Sequence, residues 1–251
     1  MTAINAMVYR EAKIRSTNLV FIFWDVFYPL GYMLVFGVGV NAALGSRLVG
    51  EGVDYNTFFL ASVLGMASFG IASNTSWSFF LDRDNGIFFE MLTYPLSRSA
   101  YMLGKVLFTL LVSLGQTIIT VALAAALFDI RVRWDRMPLL FLFMMVGTAG
   151  WFFLYSIFAL STRRNDSFNT VTSILYFVLL FASNLFYPLE PLPKWFRASA
   201  RVNPITWQID CLRWATIGIG NAQLVVLESI AFLGFAVAGF LYAARCLQRQ
   251  Q

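Results

Sequence analysis

The chain has 251 residues, of which 59% are hydrophobic and 12% charged, with a net charge of +5. An ordinary soluble domain carries roughly 25% charged residues. A soluble fold of this composition would need a core larger than the surface left to cover it, so that class is excluded. Histidine is absent and the cysteines are two, Cys211 and Cys246, which removes a Cys/His zinc site. The positive balance points to membrane orientation and anionic headgroups rather than nucleic acid, since no soluble basic domain exists to bind it.

Residues 1–18 mix apolar and charged positions (Arg10, Glu11, Lys13, Arg15) and lack the pattern of a cleavable signal. They read as an interfacial helix, and the first apolar run after them is expected to stay as an anchor. Six spans are predicted, at about 19–40, 56–80, 100–128, 138–161, 167–187 and 222–246, each long enough to cross a bilayer core. Small residues at four-residue spacing, Ala61 with Gly65 and Gly234 with Ala238, predict close helix contacts. An even span count puts both termini on one side. Ten Lys/Arg fall on that side and eight on the other, Arg47 among them, so both termini are expected in the cytoplasm. The two cysteines then lie on opposite sides and should not pair.

Between the second and third spans, "GIFFEMLTYPLSR" (86–98) is apolar yet too short to cross, rising only about 15 Å from Gly86 to Pro95 at 1.5 Å per residue. Asn85 or Asp84 is expected to cap it. Ile87, Phe88, Met91, Leu92 and Pro95 would share one face, with Glu90, Thr93 and Ser97 on the other. Such a helix either lies in the membrane interface or sits in the groove of a partner. Later, the 188–221 segment holds four prolines, three tryptophans and alternating charge. It reads as two short amphipathic helices lying in or dipping into the outer interface, broken at Asn203–Pro204, or else as a loop on the headgroups.

Catalytic motifs are missing. Gly104–Lys105 is followed by Val106 and position 99 is Ser, so a phosphate-binding loop fails at both ends. Nucleophile elbows and HExxH are also absent. Two glycosylation patterns, at Asn74 and Asn165, fall where modification is not expected. No internal repeat, low-complexity tract or domain linker stands out.

Three stretches together resemble the type-2 ATP-binding-cassette (ABC) export permeases. They are "DRDNGIFFEMLTYPLSR" before "LGK", the basic "MVYREAKIRSTN" ahead of a first span containing Pro29, and "YPLEPLPKWF" followed by "VNPITW" and Asp210-Cys211-Leu212-Arg213. The resemblance covers nearly the whole chain. It implies an all-α integral membrane protein with six spans, an N-terminal interfacial helix, a short cytoplasmic coupling helix and outer re-entrant helices before the last span. It further implies a non-catalytic subunit in a bacterial-type inner membrane, paired with a second permease copy, most simply as a homodimer. Two ATPase subunits in trans would carry ATP and magnesium, with no cofactor in this chain. The coupling helix would sit in a cleft of the ATPase. Glu90 and Pro95 would set its geometry and Phe88, Phe89, Met91 and Leu92 would make contact. Asn85, Gly86, Ile87 and Arg98 flank that surface, and Arg10 and Lys13 of the first helix would touch the ATPase too. Pro188, Glu190, Pro191, Pro193, Trp195, Pro204, Asp210 and Arg213 are candidates for an outer gate.

Asp25, about six residues into the first span, reads either as a cargo or dimer contact or as the partner of a nearby Arg. Glu228 in the last span carries the same alternatives. Trp24, Tyr28, Tyr32, Phe36, Phe69 and Trp77 are candidates for the substrate path, because aromatic faces stack on sugars or pack against lipid tails. The expected function is outward movement of a lipid-linked, glycan or amphiphilic substrate, with membrane lipid as a further partner and no nucleic acid. The alternative is a secondary transporter of an amphiphilic solute without an ATPase, which predicts midplane ionisable groups and a repeat between halves.

Overall fold

The computed structural model describes residues 2–44, 53–128 and 130–249; Arg47 lies outside them. Within these residues the chain is all helical: α1 (Ala3–Thr17), α2 (Leu19–Tyr32), α3 (Gly39–Leu44), α4 (Tyr55–Asp84), α5 (Ile87–Met91), α6 (Arg98–Phe128), α7 (Met137–Ser161), α8 (Asn165–Phe181), α9 (Lys194–Val202), α10 (Pro204–Thr216) and α11 (Ala222–Gln248). A π-helical segment, Met33–Val38, joins α2 to α3 without a break. It begins one turn beyond Pro29, whose missing N–H and ring act on the opposite side, at the Asp25 carbonyl one turn earlier.

Among the described residues, four helices are long and apolar enough to cross a membrane: α4, α6, α11, and α7 together with the short turn before it. The other two expected spans are shorter. The apolar part of the first runs over Phe23–Val38, and α8 has 17 residues, ending at Phe181 rather than 187. At α8's end the side-chain amide of Asn203 donates to the carbonyls of Leu179 (2.7 Å) and Ala182 (2.9 Å), taking up groups that a longer helix would have used.

The core forms around α4, whose middle stretch is buried almost without interruption from Phe58 to Phe69. It packs on α7, with α11 behind α7 and α10 wedged among all three. Glycines set two of these approaches. A Cβ on Gly65 would stand 3.2 Å from Ile209 of α10, and one on Gly150 would crowd Phe232, Phe235 and Ala236 of α11 at 3.1–3.3 Å. The Ala61–Gly65 pair therefore sits at a helix contact as expected. Gly234 does not, because nothing lies within 4 Å of its Cβ position; α11 meets α7 through Ala236 and Gly239 instead. Cys211 is buried beside Ser229, and Cys246 lies seventeen residues further along α11; no disulfide joins the two.

Candidate functional site

One end of the bundle is held by a buried cluster of charges. Arg10 donates to Asp82 through both terminal nitrogens (2.6 and 3.2 Å) and to Glu11 (2.8 Å). Lys105, with no exposed surface, reaches Glu11 at 2.8 Å, Asp82 at 2.9 Å and the Ser78 hydroxyl at 2.5 Å. Tyr101 donates to Asp82 at 2.7 Å, and the Lys105 ammonium lies 5.2 Å from the Phe79 and Tyr101 ring centres. Two cations thus face two anions, which is what makes burial of Glu11, Asp82 and Lys105 tolerable, with Arg10 half-buried at the edge. Burial alone would lower the Arg10 pKa, but the bonds and charge of Asp82, with Glu11 and Tyr101, carry it upward. The cluster ties α1 to α4 and α6, and α1 comes so close that a Cβ on Gly104 would overlap the Met7 side chain.

The turn between α4 and α6 hangs from this cluster. Its helix, α5, spans only Ile87–Met91, shorter than the expected 86–98. Pro95 biases Tyr94 away from helical backbone and cannot donate, so the chain leaves the helix after Leu92. Neither Asn85 nor Asp84 caps it. Gly86 stands at the N-cap with φ 73°, a left-handed conformation that favours glycine. The face expected to meet a partner packs inward: Phe88 is buried with its ring centre 5.1 Å from that of Tyr101, and Met91 and Leu92 lean on the core. What points outward is Phe89 (41% exposed), Glu90, Thr93 and Tyr94 (66% exposed). Flanking arginines staple the turn. Arg83 donates to the carbonyls of Leu160 (2.8 Å) and Thr162 at the end of α7, and Arg98 to those of Leu247 (3.1 Å) and Gln248 (2.6 Å) at the end of α11. Asn85, Gly86 and Pro95 are exposed in the turn, Ile87 is half-buried, and Lys13 is exposed on α1.

Halfway along the bundle a cavity of about 500 Å³ opens between α2, α4, α7 and α8. Trp24, Asp25, Tyr28 and Phe69, four of the seven expected path residues, line it together with Ser73, Asn74, Tyr155 and Tyr176. Phe69 is buried, its ring 4.6–5.0 Å from Trp151, Tyr155 and Tyr176. Asp25 forms an ion pair with Arg15 of α1, the pairing alternative, while also lining the cavity. Tyr32 and Phe36 continue beyond the cavity as a run of rings: Tyr32–Phe36 stack at 5.5 Å, Phe36 lies 5.3 Å from Phe186, and Phe186 5.2 Å from Phe181. Trp77 is outside this set and donates to the Asn165 side chain at 2.9 Å.

At the Tyr55 end the 188–221 segment forms α9 and α10, broken at Asn203–Pro204 as the sequence predicts. Asn203 caps α10 by accepting from the Ile205 N–H at 3.1 Å, with Pro204 in the first turn. Gln208 of α10 is buried midway in the bundle, accepting from Trp151 Nε1 at 2.6 Å and donating to Ser68 at 2.7 Å. Arg213 is buried over the Phe58 ring, 3.1 Å from Asp210, which also accepts from Asn184 at 2.6 Å. Trp195, Pro191 and Pro193 are exposed, as is Glu190; Pro188 is half-buried. Glu228 is buried at this end. The sequence reading missed the Lys105 cluster and Gln208. The available signal was a lysine seven residues into an apolar helix and a glutamine between apolar neighbours, both costly unless paired.

Comparison with known proteins follows the same lines. Residues 2–217 match the family described as ABC-2 type transporter. The chain is 24% identical over 215 residues to the transport permease ycf38 of Pyropia yezoensis, covering 82% of this chain and 73% of that one. It is 23% identical over 190 residues to ycf38 of Porphyra purpurea, at 75% of this chain and 65% of the relative. With the inner membrane transport permease YadH of Escherichia coli K12 it shares 23% identity over 222 residues, covering 87% and 83% of the two chains.

Proposed function

The chain belongs to the ABC-2 type transporter family, and on that premise we propose that it is the membrane-spanning subunit of an ATP-driven exporter for an amphiphilic substrate, lipid-linked or glycan. Both termini lie in the cytoplasm, and a partner ATPase dimer holds ATP and magnesium. The observation that carries this reading is the joint at the Asp82 end. The exposed residues Phe89, Glu90 and Tyr94 project from a turn fixed to α4, α6, α7 and α11, and α1 is bolted to the same place by Lys105. A push on that turn is delivered to the whole bundle instead of being lost in a flexible loop.

The cargo enters the cavity between α2, α4 and α8, where rings and hydroxyls offer both an apolar body and hydrogen bonds. The Tyr32, Phe36, Phe186 and Phe181 rings close its other end and would have to part for release. Beside the cavity, Phe23 and Phe27 of α2 and Ile174 and Val178 of α8 are exposed. A second copy of the chain packing there would complete the wall, which favours the homodimer.

The test is co-purification of the ATPase with wild type, Phe89→Asp and Glu90→Ala. Both variants are expected to insert normally and to lose the partner or its stimulated turnover. Unchanged binding and turnover would overturn the reading and favour an ATPase-independent secondary transporter. Phe88→Asp is unsuitable, because Phe88 is buried and its loss would unfold the joint.

A further inference from the structure

Helix α9 has three distinct sides. Phe196 and Ala200 face the protein, Phe196 with its ring 5.9 Å from that of Tyr187 and Ala200 fully buried. Lys194, Arg197 and Arg201 recur at i, i+3 and i+7 along a second side, and α9 contains no acid. Trp195 (72% exposed) and Val202 (73% exposed) form the third. Among the described residues, no carboxylate lies within ion-pairing distance of any of the three cations.

The depth of α9 makes this pattern informative. Trp77 is bonded to Asn165 at the start of α8, and an interfacial tryptophan marks one boundary of the hydrocarbon. Asn203, at the end of α9, is bonded to Leu179, about 14 residues and therefore about 21 Å further along α8. With a hydrocarbon core of about 30 Å, Asn203 stops roughly 9 Å short of the opposite boundary. Arg201, two residues before Asn203, therefore lies short of that boundary in the outer part of the bilayer, with Arg197 and Lys194 leading away from it along α9 and two exposed apolar side chains beside them. Cations at such a depth need an anion or must stretch to the headgroup layer.

We propose that the basic side of α9 is a binding site for anionic phospholipid, with Lys194, Arg197 and Arg201 taking the headgroup phosphate while Trp195 and Val202 lie against the acyl chains. Charge complementarity selects this occupant: three cations and no acid on one side, an apolar strip on the next. The site stands on the chain's residence in a membrane and is independent of an ATPase and of which face is cytoplasmic.

The experiment compares spin-labelled phosphatidylglycerol and phosphatidylcholine around the full-length protein in phosphatidylcholine vesicles, reading the immobilised fraction of each. Wild type is expected to prefer phosphatidylglycerol, and each of Arg197→Gln and Arg201→Gln is expected to lower the preference roughly fivefold. Lys194→Gln, at the exposed start of α9, provides the readout if either arginine variant fails to insert. A preference unaltered by the variants, or none in wild type, would overturn the proposal.

Discussion

The Lys105 cluster and the Gln208 bridge do the same job by different chemistry. Each secures a helix that does not span the bundle: α1 at the Asp82 end, α10 midway along. Near the end of the bundle, three charges are buried together with a half-buried fourth, Arg10, and each has an opposite partner within about 3 Å. Midway, the link is neutral, an amide between a hydroxyl and an indole. The difference follows depth. Desolvating an ion costs more than desolvating an amide, so charge is used where the chain begins to meet water and a neutral group where it does not.

The contrast is sharpest in the size of the loss when one partner is removed. Lys105→Met leaves Glu11 and Asp82 facing each other with Arg10 alone to offset them, and should destabilise by about 3–5 kcal/mol. Thermal unfolding in detergent and early proteolysis of α1 would report it; loss below about 1 kcal/mol would mean that water already solvates the cluster. Gln208→Leu strands the Trp151 N–H, while the Ser68 hydroxyl keeps its bond to the Gly65 carbonyl, and about 1–3 kcal/mol is expected by the same assay. If that variant proved as damaging as Lys105→Met, the depth argument would fail. Gly104→Ala forces Met7 away from α6 and should cost about 1–3 kcal/mol, seen as loss of a disulfide cross-link engineered between α1 and α6. The smallest stability effect belongs to Phe89→Ala, within about 0.5 kcal/mol, although it should impair ATPase pairing.

How much of this was readable in the sequence depended on whether the cause was local. The Asn203–Pro204 break is set by adjacent residues and was legible. The Lys105 cluster was not, because Glu11, Asp82 and Lys105 are far apart in the chain and only the folded bundle brings them together. The apolar spacing of α5 extends past the helix itself, which stops at Met91 because Pro95 keeps Tyr94 out of helical backbone. Its orientation was missed for another reason: hydrophobic periodicity identifies a buried face without saying whether a partner or the same chain buries it. Gly234 shows the same limit for small residues, whose spacing was right and whose neighbour was absent.

The wide turn between Met33 and Val38 gives the first apolar helix a property that a regular helix lacks. It works like a screw thread with one spare tooth. Shifting the extra residue along the thread turns each position it passes by about 100°, the angle between successive residues in an α-helix, while most of the ladder stays bonded. Phe36 lies inside that stretch and stacks on Tyr32 just before it. Cysteine labelling over 33–38 with and without ATP on the partner should then show the accessible side advance by one position, and an unmoved side would refute the idea. Opening the ring of aromatic side chains would then take a twist of one segment, with no need to pull two helices apart.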